Sequence, residues 1–302
     1  MAKLTSPSIS ITFIEKAASL IERGSRGIVA LVLRDASVTE TPDTYTVRDV
    51  SDVPTSISDA NQQYIKDALK GYSKAPLKVL VYVMPTTSEK TGELYTAMMK
   101  YFETETFQWM AIPTVETDGK IEDIVSWVKS QRDNNNFMIK AVLPNADSAD
   151  CEGIINWTSK VYKDETSDNG DNTVTITRKT YTAEQGTPRI AGILAGTDVT
   201  ISATYAPLKD FDDVERLDPE ARNTAVGAGK LLGFWDGEKV KLDRAVTSFV
   251  TTTGVKGDSF KKVKLVEDMD MIKSDIQTTI QDSYIGKYAN SYDNKCLLIT
   301  AI

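Results

Sequence analysis

Histidine is absent from the 302 residues of this chain. Without it there is no Ser-His-Asp or Cys-His triad and no His-containing metal site, and the side chain most used for acid–base work is missing. Carboxylate, lysine and tyrosine chemistry stay open, so the absence narrows the enzyme classes without closing them. Cysteine is scarce: Cys151 and Cys296 stand far apart and in no spaced motif. That argues against a disulfide framework and points to a reducing compartment. Positive charge is in deficit, with 35 Lys+Arg against 43 Asp+Glu and a formal net charge of −8. Neither a nucleic-acid backbone nor an anionic membrane suits such a chain as its main partner. No apolar run approaches the roughly 20 residues of a membrane span. The opening MAKLTSPSIS lacks the apolar core of a signal peptide. The expectation is a protein made in the cytosol, with no membrane and no nucleic acid among its partners.

What is present is ordinary globular composition, 41% hydrophobic and 26% charged, in a chain long enough for two domains. Residues 4–13, LTSPSISITF, alternate: Ile9, Ile11 and Phe13 face one way, Ser10 and Thr12 the other, as in a strand. The segment is either an edge strand of the first domain or a terminal arm that adds a strand to a neighbour's sheet. GIVALVL (27–33) is a continuous apolar run suited to a strand covered on both faces. Helix 59–70, strand 77–83, helix 92–104, strand 107–112, helix 121–132 and strand 137–143 follow with short turns, three of the strands closed by Pro85, Pro113 and Pro144. This alternation predicts a mostly parallel sheet flanked by helices. Ligands of such sheets sit beyond the carboxyl ends of the strands. Here those ends carry Asp35, Pro85, Pro113 and Pro144, and no phosphate loop.

DETSDNGDN (164–172) reads as a solvated hairpin loop between strands 154–157 and 173–177. It lacks the spacing and closing glutamate of a calcium loop. Thr187-Pro188 reads as the cap and first turn of a helix, RIAGILAGT, whose Ala191, Gly192, Ala195 and Gly196 leave a slim face for close packing. After Pro207 the composition turns acidic, which places a domain boundary at 207/208. Asp218-Pro219 caps and starts a helix to about residue 226, and Asp236-Gly237 marks a hairpin between strands 231–235 and 239–243. Residues 246–251 are expected as a third strand. Val263 and Leu265, alternating with Lys262 and Lys264, suggest a short strand with one wet face. Met269, Ile272, Ile276 and Ile280 then mark a helix stripe ended by Gly286, and Ser291 opens a further helix. The chain stops inside the apolar run of that helix, the pattern of a truncated form.

Three features imitate sites. Gly227, Gly229 and Gly233 resemble a dinucleotide fingerprint, but the third glycine is one place late and a strand follows instead of preceding, so Gly227 and Gly229 read as a helix end. Gly229-Lys230 lacks the upstream glycine and the Ser/Thr of a P-loop. Asp268 and Asp270, two apart, fall on different helix faces and are no carboxylate pair. The residues thus supply no catalytic, cofactor-binding or metal site.

Several blocks resemble contractile phage tail sheath proteins, in the small version found in phages and phage-tail-like bacteriocins of Gram-positive bacteria. They are PSISITF (7–13), RGIVALVLRD (26–35), RIAGILAGT (189–197), ISATYAPL (201–208), EDMDMI (267–272) and SYIGKYANSYDNKCLLITAI (283–302). The resemblance covers most of the chain. It implies an α/β fold: an N-terminal arm (1–24), an outer helix-flanked mostly parallel sheet domain (25–207) and a C-terminal α+β sheath domain (208–302) that lines the inside, incomplete here. It also implies a structural, non-enzymatic subunit that polymerises helically around an inner tube and contracts to drive the tube through a cell envelope. The implied partners are other copies of itself, the inner tail tube protein and the baseplate. Assembly is expected in the bacterial cytoplasm, followed by residence in a virion tail or released particle. The family links subunits by N- and C-terminal arms. Pro7, Ile9, Ile11 and Phe13 match the first, and the second is missing, so this form is expected as a monomer or small oligomer. Some larger members carry a domain described as subtilisin-like; without histidine any such similarity concerns fold alone. Lys261, Lys262 and Lys264 form the only compact basic cluster in the domain the family places inside. They are candidates for contact with the tube, against the plainer reading of a solvated strand face. The competing reading from another class is a small-molecule or nucleotide-binding α/β enzyme.

Overall fold

The computed structural model describes residues 27–87, 89–168 and 174–301. Ser25–Met269 form one compact unit, and the chain from Asp270 onward belongs to a second. The proposed arm residues Pro7, Ile9, Ile11 and Phe13 lie outside the described residues.

The larger unit is built on strands β1 (Ile28–Arg34), β2 (Asp43–Val47), β3 (Lys78–Met84), β4 (Trp109–Ala111), β5 (Lys140–Pro144) and β6 (Ile154–Trp157). A hairpin follows, β7 (Val161–Asp168) and β8 (Val174–Tyr181), then short strands β9 (Asp213–Val214), β10 (Lys230–Leu231), β11 (Gly233–Trp235) and β12 (Val240–Leu242). Among the described residues the α-helices are α1 (Asp59–Leu69), α2 (Thr91–Phe102), α3 (Ile121–Asp133), α4 (Ala183–Ala195), α5 (Pro219–Gly227), α6 (Val263–Ser283) and α7 (Tyr292–Ala301).

Seven strands make one sheet in the order β10-β6-β5-β4-β1-β3-β2, parallel throughout except for β2. The expected helix-flanked sheet is therefore present. Its register runs Ile28↔Lys78 through Arg34↔Met84 on one side of β1 and Val29↔Trp109 on the other. Successive side chains of β1 enter opposite layers. Val29, Leu31 and Leu33 join Ile65 and Leu69 of α1 and Ile190 and Ile193 of α4. Ile28, Ala30 and Val32 join Leu94 and Met98 of α2 and Ile124 and Val128 of α3. A strand buried on both faces needs apolar residues at every position, which is why GIVALVL shows no alternation. Each such side chain contributes about 1.5–3 kcal/mol by leaving water.

α4 crosses α1 closely because Gly192 and Gly196 present no Cβ: one at Gly192 would lie 2.2 Å from the Ala68 carbonyl oxygen, and one at Gly196 2.2 Å from that of Lys74. The slim face is real, but the helix starts earlier than Thr187-Pro188. Thr182 caps it, its hydroxyl accepting from the Gln185 N–H while the Gln185 side chain accepts from the Thr182 N–H. Pro188 lies inside the helix. It has no N–H for the Glu184 carbonyl, and the Thr187 hydroxyl donates there instead, at 2.7 Å.

Four other expectations are corrected. DETSDNGDN is not a loop from residue 164: Asp164–Asp168 continue β7, paired with β8 from Asp164↔Arg178 to Asp168↔Val174. Cross-strand ion pairing from Arg178 to Asp164 lets so polar a segment extend. Residues 246–251 form no strand; Ser248 hydrogen-bonds Ile154 and Cys151, and Thr247 bonds Lys261 and Phe260, so their groups are spent on scattered partners and no ladder forms. The strand expected at 263–265 is the first turn of α6, with Val263 and Val266 buried at helical spacing. The boundary expected at 207/208 falls inside the larger unit, where β10 pairs with β6. The acidic run there is no linker: Asp210 pairs with Lys70 and Arg189, and Asp213 with Arg178 and Arg216.

Candidate functional site

The parallel strands of the large sheet lie side by side as β3-β1-β4-β5-β6, the doubly wound arrangement whose ligand crevice lies beyond the carboxyl ends near β1 and β4. Side chains of the protein fill that place. Arg34, the last residue of β1, sets Nε 2.9 Å from Asp118 Oδ2, with both side chains about nine-tenths buried. Tyr95 Oη and Thr114 Oγ1 donate to the same oxygen at 2.8 and 3.2 Å, and an Arg34 nitrogen donates to Thr91 Oγ1 at 2.9 Å. Burial, with the adjacent Asp118 carboxylate, pushes the Tyr95 hydroxyl far above its ordinary pKa, so it stays a donor.

Asp35 is also committed. It is buried and accepts hydrogen bonds from Ser37 N (2.9 Å), Ser58 N (2.8 Å) and Asn61 Nδ2 (2.7 Å). Burial alone would raise its pKa; the hydrogen bonds from Ser37 and Ser58 outweigh it and hold the carboxyl well below the usual range. The carboxylate thereby fastens the start of α1 to the end of β1.

Of the glycines that imitate a dinucleotide fingerprint, Gly227 ends a helix and Gly229 and Gly233 allow close packing. α5 ends at Gly227, Gly229 takes a φ of 74° against the Ser248 backbone, and a Cβ on Gly233 would lie 3.3 Å from the Trp157 ring.

The three lysines singled out in the sequence do not act as one basic patch. Lys261 ends a short 3-10 turn (Asp258–Lys261) and pairs with Asp258 at 2.9 Å. Lys264 lies in the first turn of α6, where it pairs with Asp268 at 3.3 Å and donates to the Val199 carbonyl. Lys262 is exposed and has no ion pair among the described residues.

Two charged sites were not visible in the sequence. Lys140, 2% exposed, places Nζ 3.0 Å from Glu267 of α6 and 5.0 Å from the centre of the Trp109 ring. Arg189 and Lys70 grip Asp210 from two sides at 2.5 and 2.7 Å, tying α4 and α1 to the segment after Pro207. The hint for the second is the acidic run at 210–215, which by itself reads as a boundary. For Lys140 the only hint is a lysine beside an apolar strand.

These are the features of a structural body. A family model described as the phage tail sheath protein central domain matches residues 88–248. The tail sheath protein of Clostridium phage phiCD119 is 34% identical over 300 residues, which cover 98% of this chain and 78% of that protein. Among solved structures, the sheath tail protein of Listeria innocua matches with a TM-score of 0.75 at 17% identity, over 94% of this chain and 84% of that one. The anti-feeding prophage helical sheath in its contracted state matches with a TM-score of 0.71 at 13% identity, over 99% and 82%. The last two likenesses are of fold.

Proposed function

Because this chain belongs to the phage tail sheath family, we propose that it is the subunit of a contractile sheath that polymerises helically around an inner tail tube and joins a baseplate. Many copies stack in an extended state. Contraction rearranges them as near-rigid bodies, and the work comes from the difference in contacts between two packings, with no nucleotide consumed. The observation that carries this reading is the 34% identity sustained over 98% of the chain with a phage tail sheath protein. The doubly covered sheet supports it, since a densely packed core moves as a block. In this reading residues 1–24 are the linking arm, through Pro7, Ile9, Ile11 and Phe13, and the C-terminal part of the chain meets the tube. Lys262 is the best placed of the three lysines for that contact. Assembly takes place in the cytoplasm of the bacterial host, and the product is a phage tail or tail-like particle.

The enzyme reading finds no support in the relatives, and the crevice it would use is occupied by Arg34, Tyr95 and Asp118. The test is negative-stain imaging of the chain co-expressed with its tube protein. Striated sheaths enclosing tubes are expected. Bare tubes beside monodisperse subunits would refute the proposal.

A further inference from the structure

Each sheet of the larger unit ends in strands with no further strand beside them among the described residues: β10 and β2 in the large sheet, β8 and β9 in the three-stranded one, β11 and β12 in the last. The two longest of these edges are β8, with eight residues, and β2, with five. An open edge presents unpaired N–H and C=O groups, and proteins blunt such edges unless something pairs there. β8 is not blunted. β9 pairs only with Val161 and Tyr162 of β7, so from Lys163↔Lys179 outward no third strand joins the hairpin among the described residues. A two-stranded hairpin is marginal in water by itself. Ile176 on it is 66% exposed.

The charges say which edge fits which. The register sets Lys163 directly opposite Lys179, a like-charge pair that weakens a ladder. Asp164 is already held by Arg178 at 2.8 Å, and Glu165 is 3.8 Å from Lys179. Residues 174–181 contain Arg178 and Lys179 and no acid. Residues 40–47, running through β2, contain Glu40 and Asp43 and no base. Asp43 is exposed, and among the described residues it accepts only a long 3.4 Å hydrogen bond from Tyr45 Oη. A carboxylate brought in beside Lys179 would relieve the Lys163–Lys179 repulsion, and Asp43 stands at the start of an open edge of matching type.

We propose that β8 of one copy pairs antiparallel with β2 of the next, with Asp43 across from Lys179 and Tyr45 across from Thr177. The two edges differ, so the contact is heterologous. Every copy that engages a neighbour through β8 still offers β2, and the contact propagates into an open helical array. This inference rests on reading the chain as a sheath subunit.

The test is charge exchange. The full-length chain, Lys179→Glu, Asp43→Lys and the double variant are compared by sedimentation velocity over rising concentration at low salt. Lys179→Glu places a carboxylate opposite Lys163, and Asp43 is exposed, so both singles are expected to fold; thermal melts confirm it. Each single variant should weaken association about tenfold, and the double should return to near the wild-type value. Wild-type association in either single variant, or no recovery in the double, overturns the pairing while leaving the sheath reading intact. A wild type that stays monomeric at every concentration also overturns the pairing, whereas the sheath reading is tested separately by the imaging with tube protein.

Discussion

Gly192→Ala sets two physical effects against each other, and the structure decides between them. Helix propensity favours the change: alanine in a helix interior is better than glycine by about 1 kcal/mol. Packing opposes it. The new Cβ would stand 2.2 Å from the Ala68 carbonyl oxygen, 2.8 Å from its carbon and 2.9 Å from its Cα. Restoring an ordinary contact of roughly 3.5 Å requires α4 and α1 to part by about 1 Å. All three blocking atoms are backbone, so no rotamer change relieves the overlap. Overpacking of this kind costs about 3 kcal/mol, the upper end of its usual range, because a rigid element must move. The net expectation is a loss of about 2 kcal/mol, or a fall of about 4–8 °C in the melting temperature of a unit this size. Gly227→Ala is the control, since nothing lies within 4 Å of its Cβ position at the end of α5. It should leave stability unchanged within about 0.5 kcal/mol. Adding Ala68→Gly to Gly192→Ala should rescue nothing, because the obstruction is main chain. Urea unfolding and calorimetry of the three variants measure this directly. A Gly192→Ala protein as stable as the wild type would refute the close-packing argument.

The Lys140–Glu267 pair should be asymmetric. Glu267→Gln removes a carboxylate that lies 3.0 Å from a lysine that is 2% exposed and should cost about 1–3 kcal/mol. Lys140→Met leaves Glu267, one-third exposed, able to reach water, and should cost no more than about 1 kcal/mol in urea unfolding; equal losses would refute the assignment. Asp35 should contribute to acid sensitivity. Its folded pKa lies below the unfolded value of about 3.9, so its stabilisation is complete above that pH and is lost as the pH falls toward the folded value. Asp35→Asn should therefore be less stable at pH 7 and lose less than the wild type between pH 5 and pH 3. Identical slopes in acid titrations of stability would refute the role given to its hydrogen bonds.

The sequence by itself determined the elements whose signals are local. The continuous run 28–33 suits a doubly covered strand and is one, and β6 lies at the residues where the sequence places it, 154–157. The Asp236-Gly237 turn closes β11 on β12, with Gly237 at a φ of 104°. The cap at Asp218 accepts from Ala221 N as its sequence suggests. The family, too, is legible in short blocks, which carry ancestry that periodicity does not. The tertiary structure decided what depends on partners distant in sequence. Lys262 to Leu265 alternate like a strand, yet Val263 and Val266 are buried three apart, and the helix won because its apolar side had a core to enter. Residues 164–168 look like a polar loop until Arg178, fourteen residues from Asp164, supplies the opposite charge across a ladder. The acidic run after Pro207 looks like a boundary because Lys70 and Arg189, which neutralise it, lie far off in the chain. A charge reads as solvent-facing until its counter-charge is placed, and only the folded chain brings the two together.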